Sequence, residues 1–350
     1  MHGDNGRTTI DVKMGDCRLR VDMKGSIDFL PDESGVARMP RGAYLNIEER
    51  FRGVKRSIEF RPGAAGKPEI QWEVDGERQA FDAEAQEWLS FMLPQLFRMT
   101  GLDAEKRVGR FLARGGPQAV LDEIVLIGGD YVQRRYFIEL MKQADLDSAT
   151  MRAWVELAGK EIGSDYELAE TLSKLPAASL SEAALQESFV EATLSIDSDY
   201  EMRRTLNNLL KQKAVSSDIL DPILRAALEI GSDYECAELL IAVAQHYPGD
   251  EALPKSYFDA AATIGSDYEM RRAFAKAVER PMNDETIAAL LLSAREIGSD
   301  YELAQLLVEL VKEHGIPDSL EREFRSTLDT VGSKYEHGRV TSEWYKATGD

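Results

Sequence analysis

The stretch Ile162-Gly163-Ser164-Asp165-Tyr166-Glu167 decides the fold, because the same six residues return at 230–235, 264–269 and 297–302. Near copies are Ile127-Gly128-Gly129-Asp130-Tyr131-Val132, Ile196-Asp197-Ser198-Asp199-Tyr200-Glu201 and Val331-Gly332-Ser333-Lys334-Tyr335-Glu336. The tyrosines Tyr131, Tyr166, Tyr200, Tyr234, Tyr268, Tyr301 and Tyr335 follow one another in steps of 33 to 35 residues. A constant period of that size is the signature of stacked supersecondary units.

Each position of the hexamer has a physical use. The Ile is read as the last core contact of one helix, and the Gly as the left-handed residue that ends it. The Ser caps the next helix, and the Glu three residues on is expected to complete a capping box. The Asp lies in the first turn, where negative charge against the helix dipole contributes about 0.3–1 kcal/mol. The Tyr is expected to bury its ring against neighbouring helices and to find a partner for its hydroxyl. The hexamer is thus a corner between two antiparallel helices. Helices are predicted over 148–161 and 285–296 before corners, and over 165–175 and 300–314 after them. Pro176, Pro248, Pro281 and Pro317 fall in the joints, where a helix must stop. One pair cannot bury its apolar face alone, so copies must stack. The seventh copy, with Lys334, His337, Arg339 and Ser342, suits a capping repeat.

Upstream the period changes to two. Ile10 and Val12, Leu19 and Val21, Leu45 and Ile47, Ile58 and Phe60, and Ile70, Trp72 and Val74 alternate with polar residues. That puts one apolar and one charged face on a sheet of about six short antiparallel strands. Asp75-Gly76 and the Pro62–Gly66 text read as turns. From Asp82 a helix is predicted to about Arg98, with Pro94 expected to kink or break it. A second runs from about Ala104 to Ala113 and ends at Gly115-Gly116. The predicted fold class is α+β: a β-rich region at 1–80, connecting helices at 81–116, and a right-handed α-solenoid of seven helix pairs at 117–350. The pairs are of tetratricopeptide or HEAT size.

Within the helices that follow the corners, a second pattern appears. The fourth residue after the tyrosine is Arg135, Glu170, Arg204, Glu238, Arg272 and Gln305 in turn; the third is Arg134, Ala169, Arg203, Ala237, Arg271 and Ala304. Stacked copies would set these side by side as an Arg–Glu ladder that pins register. Alternatively, unpaired arginines form a stripe for acidic groups of a partner, or the Asp-Tyr-Glu ridge collects cations. The text Asp197-x-Asp199-x-Glu201 lacks the glycine of a calcium loop.

The net charge of −20 lies entirely in residues 81–350, with 28 basic against 48 acidic side chains. A field of that sign disfavours nucleic acid and favours a basic protein surface or simple solubility. Cys17 and Cys236 are read as two small, buried apolar side chains outside any disulfide. No apolar run is long enough for a membrane helix. The start, residues 1–6, has no signal-peptide layout, so the expectation is a cytoplasmic chain, or an extracytoplasmic one whose leader was trimmed. His2, His246, His314 and His337 show no metal-ligand spacing, and no nucleophile elbow, phosphate loop or dinucleotide fingerprint occurs. No catalytic residue, metal or cofactor is therefore expected.

The text Gly42-Ala43-Tyr44-Leu45-Asn46-Ile47-Glu48-Glu49-Arg50 ahead of Ser164-Asp165-Tyr166 and its copies resembles the extracytoplasmic portion of BlaR-type membrane metallopeptidase regulators and their stand-alone relatives. The resemblance covers about residues 17–336. That family's zinc-binding His-Glu-x-x-His is absent, so no catalytic residue carries over. It implies a sensing or docking module. The expected function is a non-enzymatic scaffold for a protein or peptide. The alternative is the sensory part of an envelope receptor for a small ligand, with an enzyme third. A homo-oligomer is left open.

Overall fold

The computed structural model describes residues 2–4, 7–176, 179–180, 182–211, 219–247 and 251–348. Pro248, and Met1, Asn5 and Gly6 of the polar N-terminal stretch, lie outside the described residues. An antiparallel sheet precedes a long series of helices, so the chain is α+β. Contacts divide it into two compact units, Met1–Glu139 and Leu140–Asp350. The sequence-based boundaries at 80/81 and 116/117 both fall within the first unit. Its core explains why.

The first unit contains β1 (His2–Asp4), β2 (Arg7–Met14), β3 (Cys17–Lys24), β4 (Asp28–Phe29), β5 (Val36–Arg38), β6 (Tyr44–Phe51), β7 (Val54–Pro62), β8 (Pro68–Val74) and β9 (Glu77–Gln79). Seven strands form one antiparallel sheet in the order β1-β2-β3-β6-β7-β8-β9, and β4 pairs with β5 apart from it. The expected six strands undercount because β1, β4, β5 and β9 are two or three residues long, too short for a period of two to register. The register sets Ile10, Val21, Ile47, Ile58 and Trp72 in one cross-strand row. A second row runs Met23, Leu45, Phe60 and Ile70. Both rows lie on the same face, since side chains two apart share a side. The other face carries ion pairs such as Arg7–Asp22 and Arg18–Asp11.

Helix α1 (Ala83–Thr100) covers the apolar face: Leu89, Leu93, Leu96 and Phe97 share one buried cluster with the strands. The Asp82 carboxylate accepts from the Ala85 N–H at 3.1 Å, as expected of its cap. Pro94 lies inside α1 and does not break it. The turn beyond it is held by the burial of Leu96 and Phe97 against the sheet, and that packing outweighs the local preference. Helix α2 (Ala104–Ile124) is interrupted at Gly115-Gly116, as read, where Gly116 takes φ 67°. Helix α3 (Asp130–Gln143) follows the first hexamer.

The sequence reading missed what joins these helices to the β-region. Arg107, almost fully buried, donates from Nε and Nη2 to the Glu33 carboxylate at 2.6 and 2.9 Å. Its Nη1 donates to Glu123 at 2.7 Å and to the Tyr136 hydroxyl at 2.9 Å. Arg98 also holds Glu123 in a two-bond pairing at 2.6 and 3.0 Å, its Nε sharing Oε1 with Arg107. Glu33 belongs to the β4–β5 connection and sits at φ 61°, an uncommon conformation for a side-chain-bearing residue. Burial opposes the charge on Arg107, but the hydrogen bonds it donates to Glu33 and Tyr136 keep the guanidinium above its usual range. The same burial raises the Tyr136 hydroxyl. The helices of 81–116 thus belong to the same compact unit as the β-region.

The helices of the second unit fall into two series by their contacts. The first series is α4 (Ser148–Glu161), α6 (Ala183–Thr193), α8 (Leu220–Ala227), α10 (Lys255–Ala261), α12 (Asp284–Ser293) and α14 (Glu321–Leu328). The second is α5 (Asp165–Leu172), α7 (Asp199–Leu210), α9 (Asp233–His246), α11 (Asp267–Val278), α13 (Asp300–His314) and α15 (Lys334–Thr348). Each helix packs on the next member of its own series. Ile162, Ile196, Ile230, Ile264, Ile297 and Val331 are all buried at the corners, as read.

Replacing Arg107 by Leu leaves Glu33 and Glu123 buried without their shared cation. Urea unfolding of that variant is expected to show a loss of about 3–5 kcal/mol. A loss under about 1 kcal/mol would mean the network does not hold the unit together.

Candidate interaction surface

The corner differs from its sequence reading at four of six positions, the Gly, Asp, Tyr and Glu. Ile162 ends α4 in an extended conformation (φ −90°, ψ 109°), and Ser164 is extended as well (φ −86°, ψ 119°). Extended residues on both sides of the glycine reverse the chain, and Gly231, Gly265, Gly298 and Gly332 have no left-handed φ. A Cβ at those four would meet an Asp oxygen at 3.5–3.7 Å, ordinary contact. That is why Asp197 is tolerated in the same slot.

The Ser caps as expected: Ser164 accepts from the Glu167 N–H, and Ser198, Ser232, Ser266, Ser299 and Ser333 accept likewise, at 3.4–3.5 Å. The reciprocal half of the capping box is replaced. The Ser198 N–H donates to Asp165 at 2.9 Å, the Ser232 N–H to Asp199 at 2.8 Å, and the Ser333 N–H to Asp300 at 2.8 Å. The residue before each serine donates to the same carboxylate: Asp197 to Asp165 at 3.1 Å, Gly231 to Asp199 at 3.2 Å, and Gly332 to Asp300 at 2.8 Å. Gly265 donates to Asp233, and Gly298 to Asp267, each at 2.8 Å. Each aspartate thus locks the backbone of the following corner. Sequence reasoning assigned it only to the dipole of its own helix. The available signal was Lys334, since a lysine has no acceptor and cannot lock a further corner.

The glutamate carboxylates turn to arginines instead. Arg203 pairs with Glu235 and Arg271 with Glu302, each reaching one corner ahead. Arg204 and Arg272 reach one copy back, to Glu170 at 3.0 Å and Glu238 at 2.7 Å. They also hold Glu201 and Glu269 in their own helices, both at 2.6 Å. The Glu238 bond raises the Arg272 guanidinium; at Arg204 burial opposes, and the Glu170 and Glu201 bonds still raise it. The expected ladder is therefore two separate rungs, Glu170–Arg204 and Glu238–Arg272. Gln305 instead bonds Glu309 at 3.4 Å, and Arg135, in the first unit, donates to the Gly101 carbonyl at 3.0 Å. A single guanidinium has a fixed fork, and the second arginine of the pair supplies the forward contacts.

The tyrosines are not buried. Tyr166, Tyr200, Tyr234 and Tyr268 are each 52 % exposed, Tyr301 is 55 %, Tyr335 is 77 %, and Tyr131 in the first unit is 48 %. The core slot is filled two residues later by Leu168, Met202, Cys236, Met270 and Leu303. Guanidinium groups lie over several rings: Arg203 over Tyr200 at 5.3 Å, Arg271 over Tyr268 at 5.5 Å, Arg339 over Tyr301 at 5.6 Å, and Arg134 over Tyr131 at 5.4 Å. Each ring keeps an open side at the same place on its helix.

Other candidates show less. Cys236 is a free thiol in a core slot, and burial pushes it up to about 12. His314 ends α13 with Nε2 at 2.7 Å from the Val278 carbonyl, a structural contact. Among the described residues no group of three His, Cys, Asp or Glu side chains is placed to hold a metal ion, and no helix is long and apolar enough to cross a membrane. The first unit has an open cleft of roughly 600 Å³ lined in part by Arg38, Met39, Arg41, Pro62 and Gly63.

No protein-family model and no curated protein matches the chain. One similar solved chain is described as "Computational Design of Self-Assembling Cyclic Protein Homooligomers"; it is 13 % identical and covers 75 % of this chain and 99 % of its own, with a TM-score of 0.14. A TM-score that low carries no argument for fold or function.

Replacing Asp199 by Ala removes the charged acceptor of the exposed Gly231 N–H and the part-buried Ser232 N–H. The expected loss is about 1–3 kcal/mol, with faster amide exchange localised to residues 231 and 232. For the arginine rungs, a double-mutant cycle of Glu170→Gln with Arg204→Gln is expected to give a coupling of about 0.5–1 kcal/mol. The cycle of Arg204→Gln with Glu238→Gln should give none, and equal coupling would restore a continuous ladder.

Proposed function

We propose that residues 117–350 build a right-handed α-solenoid of seven helix-pair repeats, and that the protein is a non-enzymatic scaffold binding a protein or peptide along its tyrosine row. The observation that carries this reading is the repeated exposure of an aromatic ring the core does not use. Tyrosine combines a large apolar face with a polar tip at low conformational cost, and it is enriched among residues that dominate interface energetics. Five rings, from Tyr166 to Tyr301, occupy the second position of five consecutive helices of one series. A partner lying across those helices meets the same chemistry at each step. The acidic excess of residues 81–350 favours a basic partner. The reading agrees with a docking module of the kind the BlaR-type resemblance implies, without that family's protease.

The small-ligand alternative would rest on a cleft of the first unit such as that beside Arg38 and Arg41. It leaves the seven-fold repetition without a use.

The test is panning of a random-peptide library on the intact chain, followed by re-testing of each clone on a variant carrying Tyr200→Ser, Tyr234→Ser and Tyr268→Ser. Because the rings are half-exposed, the thermal midpoint of the variant is expected to stay close to the parent's. Selected clones are expected to bind the variant at least tenfold more weakly. A selection whose clones all ignore the three changes sinks the proposal.

A further inference from the structure

The spacing of the tyrosine row restricts what lies across it. Helices α5, α7, α9, α11 and α13 run in the same direction, since each corner is bonded by an aspartate to the corner after it. Packed helix axes stand about 8–10 Å apart, so equivalent rings recur at about that interval. An extended β-strand repeats a face about every 6.7 Å, and an α-helix every 5.4 Å or so. A strand matches no ring interval, and an α-helix comes near it only every second turn, at about 10.5 Å. A polyproline II helix has about three residues per turn and rises ~3.1 Å per residue, so one edge repeats about every 9.3 Å. That interval falls within the helix spacing.

The chemistry points the same way. Proline rings pack on aromatic faces, and a polyproline segment is already stiff, so little conformational entropy is lost on docking. Arg203 and Arg271 are engaged with Glu235 and Glu302 while lying over Tyr200 and Tyr268, so these cations are not offered to an acidic partner. Residues 140–350 hold 39 acidic against 21 basic side chains, so the unit that carries the row attracts positive charge overall. We propose that the tyrosine row takes a basic, proline-rich segment in polyproline II form, one turn of the segment per helix. The five rings from Tyr166 to Tyr301 would be spanned by roughly twelve to fifteen residues of such a segment. This rests on the reading of the row as a contact surface.

The experiment titrates the full chain with two labelled synthetic peptides of equal length and charge, (Pro-Pro-Arg)5 and (Gly-Ser-Arg)5. The proline peptide is expected to bind at least tenfold more tightly. The Tyr200→Ser, Tyr234→Ser, Tyr268→Ser variant should lose at least tenfold for the proline peptide and little for the glycine–serine one. The corresponding triple Tyr→Phe variant, which keeps the rings, should stay within about threefold of the parent. Equal affinity for the two peptides, or proline-peptide binding that ignores the serine changes, overturns the inference. So does sedimentation showing a dimer of the chain that the serine changes dissolve, because a second copy would then cover the row. If the peptides bind equally while panned clones still depend on the tyrosines, the contact surface stands and only the polyproline partner falls.

Discussion

The carboxylate of Asp199 accepts from two backbone N–H groups of the next corner, Gly231 and Ser232, and the rest of the second unit is arranged around that bond and its copies. Helix N-termini carry N–H groups with no partner inside the helix. Here the serine hydroxyl takes one of its own helix, and the preceding copy's aspartate takes those at the corner itself. A carboxylate bonded to backbone donors is charge-assisted and short-ranged, so it fixes how far one corner stands from the next. The glutamate is then free to turn toward an arginine of a neighbouring copy, as Glu235 does toward Arg203 and Glu302 toward Arg271. The tyrosine next to it in the first turn stays at the surface, as Tyr166, Tyr200, Tyr234, Tyr268 and Tyr301 do.

The first unit depends on a different device. Arg107 ties the β4–β5 connection to α2 and α3 through Glu33, Glu123 and Tyr136, all buried. Such a cluster contributes little to stability against an apolar replacement, yet it is costly to break by halves. It also requires Glu33 at φ 61°, a conformation that pairing with the buried guanidinium holds in place. The two units thus use charge in opposite settings: deep and locally balanced in one, and at the rim of a repeating corner in the other.

The repeating text made the helices, the corners and the buried isoleucines legible, because a 34-residue period survives any uncertainty about single residues. The alternation at Leu19-Val21, Ile47, Ile58 and Trp72 did the same for the long strands. Short strands such as β4 and β9 carried no period to read. Pro94 argued for a break that the packing of Leu96 and Phe97 overrides. The ladder was half legible: the residue types were right, but which copy each arginine reaches depends on guanidinium geometry that spacing does not contain. The tyrosine was read as core because it is large, aromatic and repeated; only coordinates show that the residue two positions on fills that slot.

What the sequence by itself determined is local: where the chain turns, which serine caps which helix, which face of each strand is apolar, and how often the unit returns. These follow from side-chain chemistry acting within a few residues, or from exact repetition. What only the tertiary structure decided is every contact whose partner lies about thirty residues away or more, namely the aspartate that locks the next corner, the arginine that chooses between copies, and the ring left in solvent. The reason is physical. A carboxylate at a helix start is equally suited to its own dipole and to a neighbour's N–H groups, and the choice rests on which donors packing brings within about 3 Å.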